Sequence, residues 1–533
     1  MKQLIYILIY LMPICSYTQN WPKVYGHYSN NGELYQIYET YDRGYLLCGN
    51  YTNYLDKTIG WIVKTDINGN ILWEKKIGDY SYFTHTFCAR ETNDRGWILT
   101  GRTSQFDPAT DPYVLKLDSC GNKQWCNIYK TPGNMDWANE AYDLEEGGYI
   151  CLMSFYSDNL NKKIWLFRLD EDGNTLWSNY YHQDTNYILA QGFNMILTTD
   201  SCYLITGWNS TEVVPGSGLY WISPFWIKVD INGEEVWEAT WHESDFQHGY
   251  INESVENNNG YYIGAGNNGV NPPSNLCLYK LNIDGTPFQR IDILPNTLGA
   301  DYSTIDFLQD STLVLAGAYG FDPDTGSYSI IHIADTAGLL LHEHILPVDD
   351  GLPPNSLFVT HDNKIVATIV RVSTVPVHFE TCLFKFNSEL EYDSIYTMPM
   401  AYDTVCSSPI ASDTIPLDCW PVDVDEPQVI MTTDNLQIDP NPARTSATVT
   451  IPETFSTSTQ RNGLTTTKVR STRNLKMTLS VFTQQGQRLA EISIPKNETI
   501  LKIDVTEWAD GIYFLTLTGN AKVIAKEKLV VIK

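Results

Sequence analysis

Few of the residues able to do chemistry stand at a spacing that chemistry uses. Ten histidines are scattered through 533 residues. Trp241-His242-Glu243 opens a zinc-like signature, but the helical motif needs its second histidine four residues on, and His248 is six away. His342 and His344 alternate on a predicted strand, and the sequence places no third ligand beside them. No Gly-x-Ser-x-Gly elbow and no phosphate-cradling glycine loop occurs. No catalytic residue, metal ligand or cofactor is therefore assigned.

Three constellations remain. Asp66, Asn68 and Asn70, like Asp170, Asp172 and Asn174, cluster oxygens. A calcium loop needs six or more, including a later bidentate carboxylate. A hydrophobic residue or Trp stands there, so hairpin turns account for these residues without an ion. A basic residue precedes each such turn aspartate, or the asparagine in its place, by two: Lys64, Lys116, Arg168, Lys228 and Lys280, with Lys385 in the matching place of a seventh copy. These could form a cationic ring, but strand alternation predicts a solvated face with weak surface pairs. Last, Trp208, Tyr220, Trp221, Phe225 and Trp226 surround an insertion. Trp208, Tyr220, Trp221 and Trp226 are the candidate ligand-binding residues, since exposed aromatics stack on sugars or anchor protein contacts. Core packing of part of that loop is the equal alternative.

The elements that must carry these residues repeat. VKTDINGNILW returns as LKLDSCGNKQW, FRLDEDGNTLW and IKVDINGEEVW, and more weakly as YKLNIDGTPFQ, IHIADTAGLLL and FKFNSELEYDS. Gly69, Gly121, Gly173, Gly233, Gly285 and Gly338 mark the period, with Leu390 seventh, and successive steps are 52, 52, 60, 52, 53 and 52. The long step holds an inserted loop from Thr211 to Ser223. A fixed period of this size signals a repeat architecture. Each unit reads as four strands, with turns such as Asp42-Arg43-Gly44 and Ile67-Asn68-Gly69-Asn70, where glycine accepts positive φ. Seven units of four strands predict a seven-bladed β-propeller. Trp21-Pro22-Lys23-Val24-Tyr25-Gly26 copies Trp73 to Gly78, so the chain opens with a spare last strand, expected to pair with the seventh blade and close the ring.

Trp73, Trp125, Trp177 and Trp237 recur at one place per unit and are expected to pack between blades. The pattern resembles the tryptophan-bearing repeats of quinoprotein-like propellers, which carry one more residue before the glycine. It also resembles the repeat propellers of Bacteroidetes outer-surface proteins, over residues 21 to 400, and this implies fold alone.

The composition is acidic and aromatic: 63 Asp plus Glu against 35 Lys plus Arg, a formal charge of −28, and 13% Phe, Trp and Tyr. Such a surface repels phosphate backbones and anionic lipids, which excludes nucleic acid and membrane-surface partners. Residues 1–19 read as a signal peptide, with Lys2, an apolar run from Leu4 to Ile14, and Ser16-Tyr17-Thr18 as a small-x-small cleavage site. Cys15 raises a lipoprotein alternative that Met12-Pro13-Ile14 does not favour. No later segment is apolar for long enough to span a membrane. Of the ten cysteines after the signal, Cys120 with Cys126 and Cys406 with Cys419 are the pairs expected first. The other six fall in predicted strands, where free buried thiols are commoner.

Residues 20–400 are assigned to the propeller, 401–434 to a Pro- and Asp-rich linker, and 435–533 to a small Ig-like β-sandwich. LQIDPNPARTSATVTI, LSVFTQQGQRLAEI, DVTEWADGIYFLTL and EKLVVIK follow in order through that last domain. They resemble the type A sorting domain of the type IX secretion system. The matching residues include Pro440, Asn441, Pro442, Gly511, Tyr513, Lys528 and Lys533, with Asp439 where the family often has Tyr. The resemblance implies export across the outer membrane, engagement of the translocon, and a secreted or cell-surface protein. Glu453 to Lys476 departs from the family and is expected as an exposed loop or disordered insertion.

Two functions fit: a non-catalytic module binding an extracellular protein or glycan, or a propeller enzyme acting on extracellular polysaccharide or as a quinoprotein-like dehydrogenase. Carboxylates or His of perturbed pKa clustered tightly in the channel would favour the enzyme. A channel lined by Tyr, Ser and small residues would favour the binder.

Overall fold

A computed structural model describes residues 21–26, 30–106, 109–130, 135–156, 162–181, 187–212, 220–241, 249–257, 260–267, 275–294, 301–309, 311–322, 326–348, 352–374, 377–423, 436–451, 454–461, 464–471, 477–483, 488–495, 498–519 and 522–533. The segment read as a signal peptide, with Cys15, and the segment holding His242, Glu243 and His248 lie outside them. The chain divides into two compact units, Met1–Val424 and Asp425–Lys533.

The first unit is a seven-bladed β-propeller. Blades 1 to 6 are consecutive antiparallel sheets, each with four strands from one repeat. Their innermost strands are Asn31–Glu39, Thr84–Glu91, Trp137–Asp143, Tyr187–Leu197, Tyr250–Asn257 and Asp301–Gln309. Blade 7 supplies Ser356–Val359, Ile365–Thr374 and Val377–Phe386, and takes its fourth strand, Lys23–Tyr25, from the start of the chain. Val24 stands opposite Cys382. The expected closure is therefore what the fold contains.

The outer-strand tryptophans of blades 2, 3 and 4 lie over the turn glycine of the next blade and help to hold the ring. A Cβ on Gly173 would meet the Trp125 ring at 2.8 Å, and one on Gly285 would meet Trp237 at 2.5 Å. At the closure Trp21 takes the same place against Gly69, and the Tyr25 hydroxyl donates to the Gly69 carbonyl at 2.7 Å. Gly69 has φ +75° and abuts this ring, so both backbone and space require glycine. The tryptophans are inter-blade packing, as the repeat predicts.

Five expectations need correction. The basic residue before each turn aspartate is buried rather than solvated: Lys64, Lys116, Lys228 and Lys385 are each at most 3% exposed. Lys64 Nζ reaches Asp42 Oδ1 at 2.8 Å, and Lys228 reaches Asp200 at 2.7 Å. In the Asp42-Arg43-Gly44 turn it is Arg43 that adopts positive φ, +67°. Gly44 is there because a Cβ would fall 2.2 Å from the Thr65 carbonyl and 2.5 Å from Lys64 Nζ, filling the ammonium's path.

The segment read as a linker carries two strands. Asp413–Ile415 joins Ile71–Ile77 in blade 1, and Trp420–Asp423 joins Lys123–Lys130 in blade 2, both parallel as fifth strands. The disulfides are Cys120–Cys406 and Cys126–Cys419, not the two local pairs. Tertiary approach decides this: the segment 401–423 runs as a strap along the outer strands of blades 1 and 2 and brings distant cysteines to Cα separations of 5.1 and 4.7 Å. Cys48, Cys88, Cys151, Cys277 and Cys382 are buried outside either disulfide, and Cys202, also outside them, is half-buried.

The second unit is a β-sandwich. One sheet orders Gln437–Asp439, Ser446–Thr450 and Ile500–Asp504, and the other Arg488–Ile494, Met477–Thr483, Gly511–Gly519 and Lys522–Val531. Leu479, Val481, Leu515, Leu517 and Leu529 fill its core. The Thr- and Arg-rich insertion is a hairpin of Thr454–Arg461 and Leu464–Ser471 rather than a loop; β-branched threonine favours the strand.

Candidate functional site

Innermost strands of neighbouring blades touch around the ring and enclose a cavity of about 600 Å³, lined from all seven blades. Six of these strands carry a β-bulge at the same place, between Leu34 and Gln36, Thr86 and Cys88, Ala138 and Glu140, Gly192 and Asn194, Ile251 and Glu253, and Tyr302 and Thr304. A bulge re-aims the side chain that follows it. The residues re-aimed are Gln36, Cys88, Glu140, Asn194, Glu253 and Thr304, and they form a polar waist.

On one side of the waist Glu140 is fully engaged. Arg90 Nη2 donates to it at 3.0 Å and Gln36 Nε2 at 2.7 Å, and the Cys88 thiol lies 3.7 Å away. The Arg90 guanidinium sits between the Tyr38 and Tyr142 rings at 3.9 and 4.0 Å. Burial works against its charge, but Tyr142, Tyr38 and Glu140 outweigh that and raise its pKa.

The opposite side holds three carboxyl groups. Glu253 accepts from the Thr304 hydroxyl, from the Ile305 backbone N–H at 3.1 Å and from Asn194 Nδ2 at 3.4 Å. Asp301 accepts from the Tyr250 hydroxyl at 2.8 Å and from Asn252 Nδ2 at 3.2 Å. Asp306 accepts from the backbone of Phe307 and Val359, both at 2.7 Å. All three keep part of their surface toward the cavity, while the blades around them withdraw bulk water. Burial pushes Glu253 up to about 7, against the hydrogen bonds from Thr304 and Ile305 and with help from Asp306 and Glu140. Burial also takes Asp301 up to about 7, and it raises Asp306. The channel thus joins perturbed carboxyls, expected of an enzyme, to Tyr and Ser, expected of a binder. Among the described residues, no three His, Cys, Asp or Glu side chains are placed to hold one metal ion.

Of the four aromatic candidates, two have described side chains. Trp226 is wholly buried, and its Nε1 donates to Ser254 Oγ at 3.2 Å, so it is core. Trp208 is half-buried opposite Pro224. Tyr220 and Trp221 belong to the strand Tyr220–Val229, and their side chains lie outside the described residues. The channel residues went unnoticed in the sequence because Gln, Cys, Glu, Asn, Glu and Thr share no type. Their steps, close to the repeat period, were the available signal.

A second depression, of about 550 Å³ at the turns of blades 2 and 3, is lined by Trp125, Asp143, Glu145, Glu146, Glu171 and Asp172 among others.

In the second unit the opening motif docks on the terminal strand. Asn441 Nδ2 donates to the Lys528 carbonyl at 2.7 Å and Val530 N donates back to Asn441 Oδ1 at 2.8 Å. Ala443 continues the contact beside Val531. Pro440, Asn441, Pro442, Lys528 and Lys533 are exposed, and Lys533 N donates to Asp510 at 2.8 Å. Gly511 begins the strand that pairs with this terminus, and the Tyr513 hydroxyl anchors to the Ala509 carbonyl at 2.9 Å.

Residues 437–533 match the secretion system C-terminal sorting domain. No curated protein matches the chain. Among solved structures, the polysaccharide lyase Uly1 is similar at TM-score 0.44 and 11% identity, covering 66% of this chain and 89% of that one. A protein of unknown function from Dyadobacter fermentans gives 0.41 and 12%, covering 58% and 96%. The β-propeller domain of the trilobed protease from Pyrococcus furiosus gives 0.38 and 10%, covering 73% and 98%. These likenesses are too low to bear on function, and the propeller rests on its own strand pairing. Among the described residues no helix is long and apolar enough to cross a membrane. The chain is a β-propeller whose C-terminal domain belongs to the type IX sorting family, and it is a secreted or outer-membrane surface protein.

Proposed function

We propose that the protein is an extracellular binding module whose ligand site is the central channel, and that the sandwich routes it there through the type IX translocon. The observation that carries this reading is the convergence of polar side chains from separate blades on one cavity. The carboxyl groups are held by fixed strand neighbours, and no histidine lines the cavity among the described residues, which favours binding over proton-transfer chemistry. The exposed Pro440, Asn441, Pro442, Lys528 and Lys533, with the fold around Gly511 and Tyr513, form the face offered to the translocon.

A second reading, catalysis on an extracellular polysaccharide, draws on Glu253 and Asp301, since a carboxyl titrating near neutrality can serve as general acid.

Thermal unfolding of the mature protein against polysaccharides, oligoamines and peptides tests the binding reading. A ligand at a hundredfold its Kd stabilises by about 2.7 kcal/mol. The reading requires that Asp306→Ala weaken whichever ligand acts, and fails if the ligand ignores every channel substitution. Turnover of a polysaccharide that is lost in Glu253→Gln would establish the second reading instead.

A further inference from the structure

The channel's charges do not balance. Arg90 is committed to Glu140. Across the cavity Asp301, Glu253 and Asp306 have neighbours that are hydroxyl, amide or backbone groups, or other carboxylates, and no basic side chain pairs with any of them among the described residues. Buried carboxylates without a cation are costly, and proteins rarely keep three in one wall.

A second observation points to what is missing. Asn194 is more than nine-tenths buried at the waist, and its amide nitrogen is turned to Glu253. Its carbonyl oxygen Oδ1 has no donor among the described residues, and Gln36 Oε1, on the same waist, has none either. Every unmet group here is an acceptor, so the ligand must bring donors.

The arrangement also sets the ligand's shape. Asp301 and Asp306 lie five residues apart on one inner strand, about 15 Å along the channel, with Glu253 from the adjacent blade between them. The acidic groups are not gathered for one metal ion. They suit charges strung along a chain. We propose, building on the binding reading above, that the channel takes an extended ligand bearing aliphatic ammonium groups, set against Asp301, Glu253 and Asp306 with Asn194 Oδ1 as a further acceptor. Such groups occur in free oligoamines and in lysine side chains.

Binding should release protons. Facing Glu253 are Asn194, Thr304, Asp306, Glu140 and Tyr142, and facing Asp301 are Tyr250 and Asn252. None of these supplies a positive charge, so an arriving ammonium ionises carboxyls that titrate near 7. Affinity should rise about tenfold from pH 6 to pH 8 for each such carboxyl.

The experiment is calorimetric titration of the mature full chain with spermidine, with trilysine and with the neutral 1,5-pentanediol, at pH 6 and 8, in two buffers of different ionisation heat. The expected result is binding of spermidine or trilysine, tighter at pH 8, with proton release and no response to the diol. Preference between the two cations identifies the source. Glu253→Gln with Asp306→Asn should weaken binding at least tenfold, while Glu171→Gln with Asp172→Asn, on the acidic depression of blades 2 and 3, should not. Proton release in the unaltered protein stands even if the channel variant folds poorly. Absence of cation binding, equal response to the diol, or loss only in the depression variant overturns the proposal. Binding of some other ligand through the channel would leave the broader reading intact.

Discussion

Lys64 Nζ lies 2.8 Å from Asp42 Oδ1, and both side chains are excluded from solvent. The pair joins the third strand of blade 1 to the turn between its first two strands. Burial works against the Asp42 carboxylate, but Lys64 and the Thr40 hydroxyl outweigh it and hold its pKa below the usual range. Lys116 and Lys228 repeat the device, but their partners Asp94 and Asp200 are about half exposed. Water therefore solvates part of the charge there.

Removing one partner of the enclosed pair leaves a bare buried charge. Asp42→Ala should destabilise the propeller by about 3–5 kcal/mol, and Asp94→Ala by about 1 kcal/mol. Denaturant unfolding of the two variants measures the difference. Equal costs would show that burial does not set the strength of this contact.

Closure of the ring depends on Trp21 and Tyr25. Trp21→Ala should cost about 3–5 kcal/mol, since the ring is buried against blade 1. Tyr25→Phe should cost about 1 kcal/mol by leaving the Gly69 carbonyl without its donor. Trp125 donates to the Glu171 carbonyl in the same manner within the ring, so Trp125→Ala should lower stability without freeing the first strand. Limited proteolysis at the N-terminus separates the two effects.

The strap is held by disulfides over sequence separations of 286 and 293 residues. Replacing Cys406 or Cys419 singly by Ser should cost less than replacing both, because either bond alone already closes the long loop. The double replacement should lower stability by about 2–4 kcal/mol. Unfolding with and without reductant checks this.

Glu253 and Asp301 set a pH dependence. Their folded pKa values lie above the unfolded ones, so the folded state binds more protons between about pH 4.5 and 7. Stability should fall as pH rises through that window and stay lower above it. Asp42, with its depressed pKa, acts oppositely and loses its contribution as pH drops. Glu253→Gln with Asp301→Asn should flatten the decline in Tm between pH 5 and 8; an unchanged profile would remove these groups as its cause.

The fold was legible because its repeat carries the turn Asp, Gly and Trp at fixed places, and each of the three acts locally. The Asp closes an Asx turn, the Gly accepts a positive φ, and the Trp lays its ring on the next blade. Trp21 betrayed the closure for the same reason. The strap was not legible, since parallel pairing of Asp413–Ile415 depends on where blade 1 ends in space. Burial of Lys64 escaped because strand alternation says which face a side chain takes, and not that a glycine beneath the turn leaves an ammonium room. The channel escaped because a bulge shifts the phase of each inner strand. Asp301 and Asp306, an odd number of positions apart, would otherwise face opposite ways.

The most direct test of the channel as the binding site is a crystal structure of the mature protein grown with the best ligand from the thermal panel. The account predicts ligand density along the inner strands of blades 5 and 6, within hydrogen-bond reach of Glu253 and Asp306. Density confined to loops on the outer rim, with water alone in the channel, would contradict it.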